Sequence, residues 1–297
     1  NYHPSPFRSR IVFRLAAVLA LTALLSPLTG RGADEKKLAT LESGAYRVRL
    51  AKDAAWTIWD FCFKNEVVGN NQGFWGAVMR PDKGNSYTGT GHHEGGKEEI
   101  QSIRLEVDGK AVELTEGGTY QGQQIQFKKI SKLHNLELTS VILLTPNGLK
   151  ESYTVKAVAD QHIEEMYLFM HSWITKTDQW LARQPDGKTI EGDFSQTHNL
   201  LGNVDWLALH ATQPEVVIVS VYPEAVKAGG KGNFSWNQKV YHKFYLDAFT
   251  PQDVAKGFEQ SWTLLTACKE SQGGDWKTIA EKLVGELPGL FAEKNKP

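Results

Sequence analysis

Short segments in which apolar and polar residues alternate run from about residue 44 to residue 269, separated by glycine, proline, asparagine and aspartate. Alternation with a period of two puts apolar side chains on one face of a β-strand, so each segment is typical of a half-buried strand. The segments that fit are residues 45–50, 56–63, 73–79, 100–107, 125–130, 136–144, 150–158, 164–174, 205–210, 215–221, 238–246 and 258–268. The pattern therefore predicts an all-β chain.

Turn-forming residues recur between these segments, at Asp108-Gly109, at residues 146–148 and 185–187, and at Gly229-Gly230. Connections this short join neighbouring strands as hairpins, so the sheets should be mainly antiparallel. We expect one large antiparallel β-sandwich covering residues 34–297, because we see no internal repeat and no α/β alternation.

The C-terminal tail alone has the period of a helix. Asp275 can cap a segment over residues 276–286, whose apolar positions Ile279, Leu283 and Val284 share one face. Pro288 should end this helix. The prediction is a short C-terminal helix added to the sandwich.

The first 33 residues have a different character. Three arginines, Arg8, Arg10 and Arg14, precede an uncharged apolar run over residues 15–25, which is followed by small residues up to Ala33. This order is typical of a secretory signal peptide, and the apolar run is shorter than the roughly 20 residues that span a bilayer. We expect residues 1–33 to be a signal and the mature chain to be secreted or periplasmic, in a bacterium, with no membrane segment after cleavage.

Charge narrows the class of partner. The whole chain has 33 basic and 34 acidic residues; residues 1–33 hold four arginines and no acid, which leaves 29 basic against 34 acidic residues, a charge of −5. Proteins dedicated to nucleic acids carry a basic surface, so that class is excluded. Two cysteines, Cys62 and Cys268, are too few for a disulfide scaffold or a zinc knuckle, and the sequence leaves open whether they pair.

Two strands combine aromatic and ionisable side chains on one predicted face. In residues 164–173, that face carries Glu165, Tyr167, Phe169, His171 and Trp173, opposite Met166, Leu168 and Met170. In residues 240–247, it carries Tyr241, Lys243, Tyr245 and Asp247, which leaves His242 on the structural side. Aromatic rings stack on sugar rings while charged groups bind hydroxyls, so a carbohydrate is the expected partner. The alternative is that these aromatic residues fill the space between two sheets.

A glycine-rich segment, residues 88–99, contains His92, His93 and Glu94. Glycine lets a loop approach a ligand closely, histidine titrates near neutral pH, and glutamate can act as an acid or orient an imidazole. The segment could also hold a divalent metal with a third ligand such as His171, but no complete metal-ligand spacing is present, so we predict no cofactor. A solvated loop is the alternative.

Residues 164–173 (EEMYLFMHSW) and 240–246 (VYHKFYL), together with the long run of antiparallel strands over residues 40–270, resemble the β-supersandwich group. This group contains galactose-mutarotase-like domains and the sandwich domains of several polysaccharide lyases. The resemblance implies a concave sheet face that binds a polysaccharide or oligosaccharide.

The preferred hypothesis is a lyase that cleaves a uronate-containing glycan by β-elimination. Its catalytic set would be His92 or His93, His171 and Tyr241 as base and acid, with Lys243 neutralising the uronate. Other residues would contact the substrate: Glu94, Glu165, Tyr167, Trp173 and Tyr245. The alternatives are a mutarotase- or glycosidase-like enzyme on neutral sugars, with Glu165 and His171 as its acid and base, and a glycan-binding module without activity.

Overall fold

The computed structural model describes residues 38–70, 72–73, 75–90, 96–226, 230–249 and 251–292. The predicted signal peptide lies outside these residues, as do His92, His93 and Glu94. Among the described residues, no helix is both long enough and apolar enough to cross a bilayer.

The described residues form an all-β fold with one helix, as predicted. The strands are β1 (Leu38–Ser43), β2 (Tyr46–Ala51), β3 (Thr57–Phe63), β4 (Glu66–Gly69), β5 (Val78–Arg80), β6 (Thr88–Gly89), β7 (Glu99–Val107), β8 (Lys110–Val112), β9 (Thr119–Gln121), β10 (Ile125–Leu133), β11 (Leu136–Thr145), β12 (Gly148–Ala157), β13 (Gln161–Ile163), β14 (Glu165–Trp173), β15 (Thr177–Arg183), β16 (Thr189–Asp193), β17 (His198–Gly202), β18 (Trp206–Thr212), β19 (Glu215–Val221), β20 (Gly232–Gln238), β21 (Tyr241–Phe249), β22 (Gln252–Val254) and β23 (Glu259–Glu270), and the helix is α1 (Trp276–Phe291).

Two large sheets hold nearly all of these strands. The first, sheet A, has the order β17-β20-β21-β14-β4-β3-β2-β1-β9, with β5 and β6 attached beside β14. The second, sheet B, has the order β16-β15-β18-β19-β23-β12-β11-β10-β7-β8. Within the described part of the chain, all strand pairs are antiparallel except β1 with β9. Strand β13 pairs with β22 in a small third sheet. The predicted antiparallel sandwich is therefore confirmed.

The main core lies between the two sheets. Strands β10 to β12 alternate buried and half-exposed residues along their whole length, so that Leu136, Leu138, Ile142 and Leu144 of β11 all turn inward. Because only one face of these strands is buried, apolar and polar residues alternate along their sequence, and this alternation predicts the strands.

Strand β19 is apolar on both faces because one face packs in the inter-sheet core and the other packs against α1. Val216 and Ile218 face the inter-sheet core, whereas Val217 and Val219 pack against α1. Helix α1 thus covers the outer face of sheet B.

Helix α1 begins as predicted, since the Asp275 carboxylate accepts hydrogen bonds from the backbone of Lys277 and Thr278. The predicted end at Pro288 is wrong: the proline lies inside the helix, which continues to Phe291. Leu287 is fully buried and Phe291 packs on the same cluster, so apolar contacts offset the backbone hydrogen bond that proline cannot make.

Two predicted strands have different bounds in the structure. The segment at residues 73–79 is a strand only from Val78, and residues 238–246 are divided between the end of β20 and the start of β21. Both cysteines are buried free thiols, Cys62 in sheet A and Cys268 in sheet B, so the two do not form a disulfide.

Candidate functional site

Strands β14 and β21 pair antiparallel within sheet A, and their outer face carries the candidate site. Along β21, Phe244 and Leu246 belong to the inter-sheet core, whereas Tyr245 belongs to a separate cluster. The side chains of alternate residues point to opposite faces, so Lys243, Tyr245 and Asp247 lie on the outer face, as predicted.

Strand β14 keeps its predicted faces only as far as Leu168. Phe169 has a φ of 50°, and the pairing register with β21 shifts between Leu168 and His171, which marks a β-bulge. One extra residue exchanges the two faces for everything that follows. The predicted common face of Glu165, Tyr167, Phe169, His171 and Trp173 is therefore wrong beyond Tyr167.

The residues after the bulge illustrate this exchange. His171 Nε2 lies 2.7 Å from Glu151 Oε2 of sheet B, and the imidazole stacks on Trp75 with 4.5 Å between ring centroids. Trp173 is also buried in the inter-sheet core. The structure thus places His171 and Trp173 away from the outer face, where Met170 joins Tyr245 instead.

Glu165 lies on the outer face with two donors on one oxygen. The Arg80 Nη2 atom is 2.8 Å from Glu165 Oε2, and the Tyr87 hydroxyl donates to the same oxygen. Tyr87 also lies 3.2 Å from the Tyr167 hydroxyl. Burial, followed by the hydrogen bond to Glu165, raises the pKa of Tyr87 to about 12, so this phenol remains a neutral donor.

A second carboxylate, Asp247, pairs with Tyr167 across the two strands. Burial raises its pKa to about 6, and the negative charge of Glu165 adds to the effect. Asp247 Oδ1 has no hydrogen-bond partner among the described residues. A carboxyl group that is half protonated near pH 6 can give or take a proton at physiological pH.

Aromatic rings lie beside the two carboxylates. The rings of Tyr167 and Tyr245 have centroids 4.8 Å apart, and that of Phe234 lies 3.9 Å from Tyr245. Tyr167 and Phe234 are half-buried and so keep part of each ring accessible. We call the set of Arg80, Tyr87, Glu165, Tyr167, Tyr245 and Asp247 the carboxylate centre.

The remaining predicted site residues have different positions. Lys243 is buried on the outer face, where its ammonium group lies 5.1 Å from the ring centroid of Tyr241. Tyr241 is half-exposed. His92, His93 and Glu94 lie outside the described residues, and within the described residues no group of three or more histidine, cysteine or acidic side chains could hold a metal ion.

Sequence reasoning did not select Arg80, Tyr87 or Asp247 as site residues. Arg80 and Tyr87 flank a turn at residues 81–86, which has no strand pattern, and the pairing of β5 with β14 and with β6 brings them to Glu165. Asp247 did carry a signal, because the alternation of β21 put it on the same face as Tyr245.

Comparison with known proteins finds structures of similar fold but no close relative in sequence. No protein-family model and no curated protein sequence matches the chain. Among solved structures, the Slr1438 protein of Synechocystis sp. PCC 6803 is 9% identical, with a TM-score of 0.51, over 78% of this chain and 95% of that one. The α-N-acetylgalactosaminidase NagBb of Bifidobacterium bifidum is 8% identical, with a TM-score of 0.52, over 82% of this chain and 38% of that enzyme.

Both similarities agree, at the level of the fold, with the resemblance to β-supersandwich domains expected from the sequence. A galactose mutarotase-like protein of Lactobacillus casei is also similar, at 12% identity and a TM-score of 0.45, over 78% of this chain and all of that one. Identities this low concern the fold alone. The similarity to NagBb covers about two fifths of that enzyme. It therefore does not show that this chain shares the activity of the whole enzyme.

Proposed function

We propose that the chain binds a sugar at the carboxylate centre and catalyses exchange between its anomers, as an aldose 1-epimerase does. The observation that carries the proposal is the pair of carboxylates on the outer side of sheet A: Glu165 is bound by Arg80, and Asp247 is 2% exposed with an Oδ1 atom that has no partner among the described residues. The names of similar solved structures, a galactose mutarotase-like protein and an α-N-acetylgalactosaminidase, support a carbohydrate as the ligand.

Anomer exchange needs one acid and one base on the same sugar. Asp247, in its protonated form, gives its proton to the ring oxygen, while Glu165 takes the proton of the C1 hydroxyl. The bond between C1 and the ring oxygen breaks, and the sugar becomes an open-chain aldehyde. Rotation about the C1–C2 bond and closure by the reverse proton transfers yield the other anomer.

The surrounding residues hold the two groups in these roles. The guanidinium of Arg80 and the hydroxyl of Tyr87 stabilise negative charge on Glu165. Burial and the nearby charge of Glu165 raise the pKa of Asp247 to about 6, so a fraction of the molecules carries the acid form near neutral pH. Tyr167 offers a ring face on which the apolar side of a pyranose can stack.

Polarimetry tests the proposal directly. Freshly dissolved α-D-galactose and α-D-glucose should reach their equilibrium rotation faster with the wild-type protein than without it. Asp247→Asn and Glu165→Gln should each remove this acceleration. Asp253→Asn is the matched control, because Asp253 lies on β22 and pairs with His162 at the surface; it should behave like the wild type.

Two results would overturn the proposal. The first is no acceleration with either sugar. The second is equal acceleration by the wild type and Asp247→Asn. Sugar binding detected by NMR without any change in anomer exchange would leave the chain as a glycan-binding module.

Cleavage of a uronate-containing glycan by β-elimination is a second candidate, favoured by Lys243 beside Tyr241 on the outer face. Lys243 would neutralise the uronate and Tyr241 would protonate the leaving oxygen. This hypothesis has less support, because His171, one of its expected catalytic residues, lies in the core. A rise in absorbance at 235 nm with alginate, pectin, ulvan or a glycosaminoglycan would favour it, and a flat trace would contradict it.

A further inference from the structure

Aromatic side chains extend beyond the carboxylate centre across the outer face of sheet A. Phe234 of β20 contacts Tyr245, and Trp236, two residues further along β20, packs against the same cluster. The imidazole of His198, on the edge strand β17, lies 4.0 Å from the Trp236 ring. We call Phe234, Trp236 and His198 the aromatic extension.

The extension is wider than one sugar ring. It begins at β14 and ends at β17, with β21 and β20 between them. Neighbouring strands lie about 4.8 Å apart, so these four strands span about 14 Å. A pyranose, which is about as large as one aromatic ring, covers only part of that width.

The exposure of these side chains fits a solvated ligand. Trp236 and Phe234 are half-buried, and His198 is exposed. The exposed Gln238 follows on the same face of β20, where its amide can bind sugar hydroxyls. Half-buried aromatic rings beside a polar side chain suit a sugar, because a ring packs on the apolar side of a pyranose while the amide binds its hydroxyls.

We propose that the ligand is an oligosaccharide, with its reducing-end unit at the carboxylate centre and further units stacked on Phe234, Trp236 and His198. This inference rests on the proposed function, because the reducing end carries the C1 hydroxyl at which anomers exchange. The free reducing end lies over β14, and the chain of sugars runs across β21 and β20 towards β17.

Calorimetric titration with sugars of increasing length tests this inference. The probes are galactose and its β-1,4-linked oligomers of two to five units, and glucose with the corresponding cello-oligosaccharides. For the wild type, Kd should fall by roughly tenfold between one and four units, which is the gain that one good aromatic stack supplies.

Trp236→Ala should remove most of this dependence on length. His198→Ala should reduce the dependence of Kd on sugar length. Because His198 is exposed, this variant should fold and keeps the inference testable even if Trp236→Ala does not fold. Leu290→Ala is the matched control: this side chain is also an exposed apolar group, 47% accessible, but it lies on α1 against sheet B.

The outcomes separate this inference from the proposed function. If galactose or glucose binds and Kd does not change with length, the oligosaccharide inference is overturned and the proposed function stands. If no sugar of any length binds, both fail. If Trp236→Ala instead dissociates a dimer in sedimentation, with the length dependence intact, the extension contacts a second copy of the chain and the inference is overturned.

Discussion

The Nε2 atom of His171 lies 2.7 Å from Oε2 of Glu151, and each side chain is only 3% exposed. The contact joins β14 of sheet A to β12 of sheet B through the middle of the core. Neither atom makes a hydrogen bond of good geometry within the described part of the chain, so the two are held in contact by the packing around them. A buried polar contact of this kind depends on both partners being present, because a polar group left alone in the core has neither a partner nor water.

We therefore expect Glu151→Gln to destabilise the fold. Leaving one partner of a buried polar contact unsatisfied costs about 1–3 kcal/mol, because the other partner remains desolvated. Urea unfolding followed by tryptophan fluorescence measures the change. A Glu151→Met/His171→Leu double variant should recover most of the loss, since apolar replacements leave no unsatisfied polar group behind.

The matched control is Glu270→Gln, which removes the surface pair with Lys64, where the two atoms are 2.6 Å apart. Because water and salt screen that pair, its loss should leave the free energy of unfolding unchanged. A Glu151→Gln variant as stable as this control would show that His171 does not need its partner.

The faces of β14 beyond Leu168 could not be predicted from the sequence. Both ends of β14 looked regular, and a single inserted residue at Phe169 exchanged the faces of everything after it. A bulge is decided by the fit of the whole sheet, and alternation within one strand cannot reveal it. Strand β21 has no such irregularity at positions 241–247, so its faces were predicted correctly.

Strand β20 was missed for a different reason. Its buried face carries Asn233, Ser235 and Asn237, while the aromatic Phe234 and Trp236 face outward. The amide nitrogens of Asn233 and Asn237 donate to the hydroxyl of Tyr222 and to the backbone oxygen of Gln196, partners that lie outside the strand. A rule that places apolar residues inside cannot recognise a strand with this inverted pattern.

Asp247 should make stability fall as pH rises. Its pKa is about 6 in the folded protein, against about 3.9 in an unfolded chain. Between these values the folded state binds more protons, so the stability that Asp247 contributes is fully present below about pH 4 and is lost as pH rises through about 6. Urea unfolding at pH 4, 5, 6 and 7 should show a shallower decline for Asp247→Asn than for the wild type.

The same proton should control activity. If Asp247 is the acid for the ring oxygen, the rate of anomer exchange should fall as pH rises above about 6, because the acid form disappears. A pH profile without this limb, combined with an unchanged stability slope in Asp247→Asn, would contradict the assignment.

His242 should make stability rise with pH, which is opposite to the effect of Asp247. Burial lowers its pKa to about 4, and the ring stacks on Phe194 with 3.9 Å between centroids. An unfolded histidine takes up a proton near pH 6.5, so the stability that this residue supplies above pH 6.5 is lost as pH falls towards 4. His242→Phe keeps a ring against Phe194 but does not titrate.

The stability of His242→Phe should therefore decline less than that of the wild type between pH 6.5 and pH 4. An NMR titration of the His242 ring protons measures the pKa itself. A midpoint near 6.5 would show that the imidazole is solvated. The opposite signs expected for His242 and Asp247 allow the two variants to be distinguished in one set of unfolding curves.

Gly230 covers Asp247 closely enough that any side chain would displace it. A methyl group at Gly230 would lie 2.3 Å from the backbone oxygen of Asp247 and 2.6 Å from its Oδ1 atom. Because backbone must move to relieve this overlap, Gly230→Ala should cost about 1–3 kcal/mol of stability and shift the pKa of Asp247 towards its ordinary value as water gains access.

Gly285→Ala provides the contrast, because a methyl group there meets no atom within 4 Å on the surface of α1. Alanine favours the helix more than glycine, so this variant should gain up to about 1 kcal/mol. Urea unfolding compares the two substitutions, and a ¹³C NMR titration of the Asp247 carboxyl reports its pKa in each. If Gly230→Ala matched the wild type in both measurements, the chain at residue 230 would not be what keeps a proton on Asp247.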